Sequence, residues 1–316
     1  MSGFDDGLPV VFLMGPTASG KTEAACRLVD QFDCEIVSVD SALVYRGLDI
    51  GTAKPTPSLL RNYPHHLLNL RDPAVTYSAA QFRTDAVAVI KQIHGRGRVP
   101  LLVGGTGLYF RVLEQGIAAL PQGDDDVRKH LEDELASEGL ATMHARLVAV
   151  DPERAQEINP HDQQRTLRAL EIFDISGQPM SVLLKQTPLP RAPFATIKLV
   201  LAPQDRGWLH ARIAQRFRAM LAAGFINEVG ALRDRGDLSL DRPALRAVGY
   251  RAIWHYLDGK YHFEEMVERG IIATRQLAKR QFTWFRASED SLWLDSGDPQ
   301  LQRELGVALK RRIKLK

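Results

Sequence analysis

The sequence predicts an α/β protein: a parallel sheet with helices on both faces, an inserted all-helical lobe and a helical C-terminal region. Three observations carry this. Short, continuous apolar runs recur, each ending in glycine or polar residues, as strands buried on both faces do. Helical patterns fill the gaps between the runs, so successive strands lie parallel. A long charged stretch without any strand then separates the third run from the fourth.

The elements follow in order. The stretch 8–15, "LPVVFLMG", reads as the first strand, and a helix is expected over Lys21–Phe32. "CEIVSVD" (Cys34–Asp40) is the second strand, with a helix over Ser78–His94 after it. "VPLLVGG" (Val99–Gly105) is the third, followed by a helix over Gly107–Gln115. "TIKLVLA" (Thr196–Ala202) is the fourth, closed by Pro203. Residues 121–190 form the strand-free insertion, which ends in the proline-rich return "KQTPLPRAPF". The sheet domain is therefore expected from residues 1–120 and 191–316. In such a sheet ligands sit beyond the C-terminal strand ends.

Composition narrows the class. The chain has 316 residues, 45% of them hydrophobic and 25% charged, as in ordinary globular proteins. No apolar run is long enough to span a membrane, and the acidic start "MSGFDDGLPVVFLMG" is no secretory signal. Cys26 and Cys34 match no disulfide framework or zinc pattern, which suits a reduced cytosolic protein. The net charge is +3, unevenly spread: residues 246–316 hold 14 Lys or Arg against 9 Asp or Glu, a balance of +5. A basic C-terminal quarter ending in "LKRRIKLK" offers a surface to a polyanion.

The first strand runs into "GPTASGKT", the residues Gly15, Pro16, Thr17, Ala18, Ser19, Gly20, Lys21 and Thr22. The pattern G-x-x-x-x-G-K-[ST] between a strand and a helix is a phosphate-binding loop, so the sheet is of the P-loop NTPase-like kind. Its amides face phosphate oxygens, Lys21 supplies charge, Thr22 a hydroxyl for Mg²⁺, and the helix its positive end. The loop binds a di- or triphosphate and leaves open whether phosphate is transferred or merely departs.

Asp40 ends the second strand, in "SVDSALVYRGLDIGTAKP" (Ser38–Pro55). In a phosphoryl-transfer enzyme an acid there holds Mg²⁺ or orients the acceptor. In a transferase acting on carbon, the loop stabilises departing diphosphate and the acid takes a proton from the nucleophile. Asp40 suits either role.

"GPTASGKT", "DSALVYRGLDIGTAKP", "VGGTGLYF", "RALE" and "RAVGYR", with "HARIAQRFRAMLAAGFINEV" and "ATRQLAKRQFTWFR", together resemble the bacterial tRNA dimethylallyltransferase (isopentenyltransferase) family over nearly the whole chain. The resemblance implies transfer of a dimethylallyl group from dimethylallyl diphosphate to N6 of adenosine 37 in tRNAs reading codons that begin with U. Diphosphate leaves with Mg²⁺ assistance, and no ATP is consumed. By resemblance Asp40 is the general base, and Ser41, Ala42 and Leu43 hold the flipped adenine. Thr106 hydrogen-bonds beside the reacting centre, and Arg216 contacts the diphosphate. The family expectation is a cytoplasmic monomer with no obligate protein partner.

Two basic segments suit an RNA. In "RAVGYR", Arg246 and Arg251 are expected on phosphates with Tyr250 near a base, and Gly249 between them. In "ATRQLAKRQFTWFR", Arg275, Lys279, Phe282 and Arg286 share one helical face, with Arg280 beside it. Standing alone, either could be a solvated helix face. Trp284 and Phe285 point into the core. The resemblance adds Arg128 and "DQQR" (Asp162, Gln163, Gln164, Arg165) near the tRNA anticodon stem-loop. His65 and His66 are expected to line or brace the site from a loop, without metal. A small-molecule or nucleoside kinase explains neither the basic aromatic helix nor the insertion. A non-catalytic RNA-binding protein explains neither Asp40 nor Thr106 beside the phosphate loop.

Overall fold

The structure, a computed structural model, describes residues 8–313 apart from 188, 190, 191 and 193. Parts of the proline-rich return and of the basic tail fall outside the described residues.

Six strands form one parallel sheet: β1 (Val10–Met14), β2 (Cys34–Val39), β3 (His65–His66), β4 (Val99–Gly104), β5 (Thr196–Ala202) and β6 (Leu292–Asp295), in the order β3-β2-β4-β1-β5-β6. Alternate residues point to opposite faces, and both faces are covered. Val11, Leu13, Ile36, Leu101, Leu199 and Leu201 pack on one side with Ala24 and Leu28 of the Lys21–Gln31 helix and Leu305 and Leu309 of the Leu301–Arg312 helix. On the other side Phe12 meets Phe110 of the Gly107–Gln115 helix at 5.0 Å between ring centroids. Tyr109 of that helix stacks on Phe82 of the Ala79–Gly95 helix. Near-continuous apolar strands are what a sheet buried on both faces requires.

Two strands are additional to the four expected. His65 and His66 are an edge strand rather than a loop at the site: they pair with Ile36 and Val37, and His66 Nε2 lies 2.9 Å from Glu35. A two-residue strand has no periodicity to read. In β6, "LWLD", four residues are equally too few to separate from the preceding helix.

The chain divides into two compact units, residues 1–114 with 192–316, and residues 115–191. The second is helical among the described residues, with helices Asp125–Glu138, Leu140–Val150, Pro152–Glu157, Gln163–Ser176 and Met180–Gln186. Its own small core gathers Leu131, Met143, Leu147, Ile158 and Leu170. Asp124, Asp151 and Asp162 cap three of these helices by accepting first-turn N–H groups, which explains the acidic punctuation of the segment. Among the described residues no helix is long and apolar enough to cross a membrane.

Candidate active site

Strands β2, β4 and β1 are neighbours, so their C-terminal ends bring Asp40, Thr106 and the phosphate loop to one edge. The loop turns sharply, with Ala18 at φ 64° and Gly20 at φ 86°, and delivers the chain into the Lys21–Gln31 helix. Lys21 Nζ donates to the Pro16 carbonyl (2.6 Å) and reaches Ser19 Oγ (3.5 Å). Desolvation and the nearby Arg216 charge draw the Lys21 ammonium down to about 7, against the opposing pull of Asp40.

Arg216 lies on the Arg206–Ala222 helix, half-buried. Burial lowers its pKa, Asp40 raises it, and Arg212, one turn away, lowers it. No carboxylate forms a salt bridge with Lys21 or Arg216 among the described residues. Two cations drawn out of water without a carboxylate in a salt bridge to either suit an anion.

Asp40 sits beside this pair. Its Oδ1 accepts from Ala42 N–H (2.8 Å) and Leu43 N–H (3.4 Å), which fixes the carboxylate. Its Oδ2 has no hydrogen-bond partner among the described residues. Thr106 Oγ1 accepts from Ser41 N–H (3.1 Å) and lies 3.5 Å from Ser41 Oγ, tying the end of β4 to the residue after the acid. The arrangement places a fixed carboxylate with one free oxygen next to a cationic phosphate cradle.

Thr22, in the first turn of the helix after the loop, is exposed, and its hydroxyl has no hydrogen-bond partner among the described residues. Among the described residues no three His, Cys, Asp or Glu gather as a metal site. A single hydroxyl with an open surround fits Mg²⁺ held mainly by phosphate oxygens and water, the usual habit of this ion.

Residues that the sequence reading passed over complete the site. Gln281 accepts from Thr17 N–H through Oε1 (2.9 Å) and donates to Gly105 O through Nε2 (3.0 Å). Arg212 Nε donates to Ala18 O (3.1 Å), its guanidinium lying over Trp208 at 4.6 Å. Glu228, on the Phe225–Asp234 helix, accepts from the amides of Asp49, Ile50 and Gly51 at 2.6–3.1 Å. Lys54 donates to Tyr45 O, Asp49 and Asn69. The Arg212–Arg216 spacing of one helical turn was a legible signal; Gln281 and Glu228 had none, because they bind main chain from far along the sequence.

The basic segments part company. Tyr250 is fully buried, its hydroxyl donating to Glu228 (2.6 Å) and its ring edge-on to Phe225. It does not reach a base; its apolar ring belongs to the core, and the carboxylate satisfies its one polar atom. Gly249 is likewise structural: it takes φ 92°, and a Cβ there would come 2.9 Å from Phe225. Arg246 and Arg251 are exposed, Arg251 donating to Leu240 O at 3.4 Å.

On the Phe263–Arg286 helix, Lys279, Arg280 and Arg286 are exposed, and Arg275 is half-buried. Phe282 is covered in part: Trp293 stacks beside it (6.5 Å) and Arg286 lies over it (5.8 Å). With Arg206 and Asp295 these line a cavity of about 300 Å³ that contains no residue of the phosphate loop. Phe285 is buried, and Trp284 packs under Arg111.

In the helical unit, Asp162 accepts from Arg165 N–H (3.0 Å) as a cap, while Gln163, Gln164 and Arg165 are exposed on the first turn. Arg128 pairs with Glu171 (3.0 Å), a buried carboxylate also held by Arg168 (2.6 Å).

Known proteins resemble this chain in sequence and fold. The family model described as IPP transferase matches residues 43–288. The tRNA dimethylallyltransferase of Alkalilimnicola ehrlichii is 56% identical over 287 residues, covering 90% of each chain. That of Halorhodospira halophila is 52% identical over 290 residues, covering 92% of this chain and 94% of the relative. The crystal structure of a tRNA isopentenylpyrophosphate transferase from Bacillus halodurans superimposes with a TM-score of 0.72 at 35% identity, covering 98% of this chain and 97% of that one. A eukaryotic dimethylallyltransferase solved acting on tRNA gives 0.81 at 26% identity, over 96% of this chain and 79% of its own. With a family match across most of its length and relatives above half identity, this chain belongs to the IPP transferase family.

Proposed function

We propose that this protein is a tRNA dimethylallyltransferase that alkylates N6 of the adenosine 3′ to the anticodon, position 37, in tRNAs reading codons that begin with U. The observation that carries the reading is the fixed Asp40 carboxylate, one oxygen without a hydrogen-bond partner among the described residues, beside Lys21 and Arg216, neither of which has a salt-bridge partner among those residues. The names of the relatives support the substrate pair.

The chemistry follows from those groups. Diphosphate sits on the loop amides with Lys21 and Arg216, and Thr22 would hold Mg²⁺, which would supply charge neutralisation to the leaving group. The adenine amine is a weak nucleophile because its lone pair is delocalised into the ring. As N6 bonds to the allylic C1, the C1–O bond breaks, its electron pair leaves with diphosphate, and the N6 proton passes to Asp40. Such general-base assistance is worth roughly 10²–10⁴-fold. Ser41, held by Thr106, forms the wall next to the acid. Taking the base from its stack costs a few kcal/mol, less in an anticodon loop than in a duplex.

We assign RNA contact to the exposed cations Lys279, Arg280, Arg286, Arg246 and Arg251, and to the helical unit through Gln163, Gln164 and Arg165. The enzyme is expected to act as a cytoplasmic monomer. The test is incubation with unmodified tRNA and dimethylallyl diphosphate labelled in the allyl group. Label in the RNA is expected; label transferred only from γ-labelled ATP would make the protein a kinase.

A further inference from the structure

Gln281 lies between two exposed cations and a half-covered ring on the Phe263–Arg286 helix and is itself half-buried. Its single amide group is spent on two main-chain partners, Thr17 N–H and Gly105 O. The ladder between β1 and β4 runs to Met14 and Gly104 and stops there. Beyond it no backbone hydrogen bond joins the two segments among the described residues, one entering the phosphate loop, the other passing through Gly105 into Thr106. Gln281 is the tie that continues across this gap.

What it ties is specific. Thr17 belongs to the loop that holds the leaving group. Gly105 precedes Thr106, which accepts from Ser41 N–H next to Asp40. One planar amide, offering an acceptor and a donor in fixed relation, thus joins the half of the site holding the electrophile to the half holding the base. Gly105 carries no Cβ for the same reason: one there would come 2.2 Å from Gln281 Nε2.

We infer that Gln281 is a positioning residue for the transfer step, setting the distance between the allylic carbon and the amine with its base. The inference rests on the dimethylallyl-transfer reading. Misplacement of reacting groups by about 1 Å costs on the order of 10²-fold in rate, so this contact controls turnover rather than binding. A residue that merely fastens the helix would control stability instead.

Three variants separate these roles. Gln281→Met keeps the volume and loses both hydrogen bonds. Gln281→Glu keeps an acceptor for Thr17 N–H but offers no donor to Gly105 O. Gly105→Ala leaves Gln281 in place and displaces the flexible end of its side chain. For each, kcat is expected to fall by roughly 10–100-fold, while KM for dimethylallyl diphosphate and Kd for tRNA stay within about threefold. Tm should fall by no more than the loss of two part-buried hydrogen bonds allows, leaving each variant folded at the assay temperature. The inference is overturned if Gln281→Met turns over within about twofold of the wild type. It is equally overturned if its lost rate follows weakened tRNA binding or a lower folded fraction. Failure of the wild-type chain to transfer label, seen in the same assay before any variant is compared, overturns the functional reading itself.

Discussion

Asp40 and Glu228 both act on the segment 38–55, one from inside it and one from a helix beyond it. Glu228 is saturated: three amides and the Tyr250 hydroxyl occupy its two oxygens. Asp40 lies near Lys21 and Arg216, is anchored through Oδ1, and has no hydrogen-bond partner on Oδ2 among the described residues. The saturated carboxylate is scaffolding, pulling the turn at Asp49–Gly51 onto the core. The half-saturated one is held through one oxygen, which suits the base we propose. The long motif therefore splits into a chemical part, Asp40–Leu43, and a structural part, Asp49–Lys54.

The largest expected effect lies on the chemical side. Asp40→Asn retains an oxygen to accept the Ala42 and Leu43 amides but loses the base, so turnover should fall by roughly 10²–10⁴-fold. Tm and both substrate affinities should hold, measured by thermal unfolding and equilibrium binding. A proportionate loss of Tm would erase the distinction from Glu228.

On the structural side the signs reverse. Glu228→Ala strands several amides and should cost more than about 3 kcal/mol of stability, read from denaturant unfolding. Tyr250→Phe removes only the hydroxyl bond to that carboxylate and should cost about 1.5–3 kcal/mol. Its tRNA affinity, per folded molecule, should equal that of the wild type; selective loss of tRNA binding would return Tyr250 to the RNA face. The smallest effect is expected at the exposed Lys279. There Lys279→Ala should reduce the salt dependence of tRNA binding by about 0.7–0.9 in log–log slope. An unchanged slope would remove Lys279 from the interface.

The same contrast explains what could be read in advance. The four main strands and the phosphate loop are local patterns: apolar runs with glycine ends, and a motif between strand and helix. That Asp40 and Thr106 would meet the phosphate loop at one sheet edge was legible because strand ends in a parallel sheet converge; their roles came from the family resemblance. Tyr250 was misplaced because "RAVGYR" shows its composition but not which side faces Phe225, and burial is decided by that partner. Gln281 and Glu228 stayed hidden because each bonds to main chain of a distant loop, whose amides look alike in any sequence, whereas Arg212 could have been found from its one-turn spacing to Arg216. His65–His66 formed too short a strand to leave a period.

Whether Asp40 takes a proton or holds a metal is the point on which the account turns. Chemical rescue of Asp40→Ala addresses it most directly, with single-turnover dimethylallyl transfer followed as acetate or formate is added. A free carboxylate small enough to enter the emptied position should restore rate in proportion to its concentration, with Mg²⁺ dependence unchanged from the wild type. Rate that ignores added carboxylate and returns instead with raised Mg²⁺ would contradict the base assignment and make Asp40 a metal ligand.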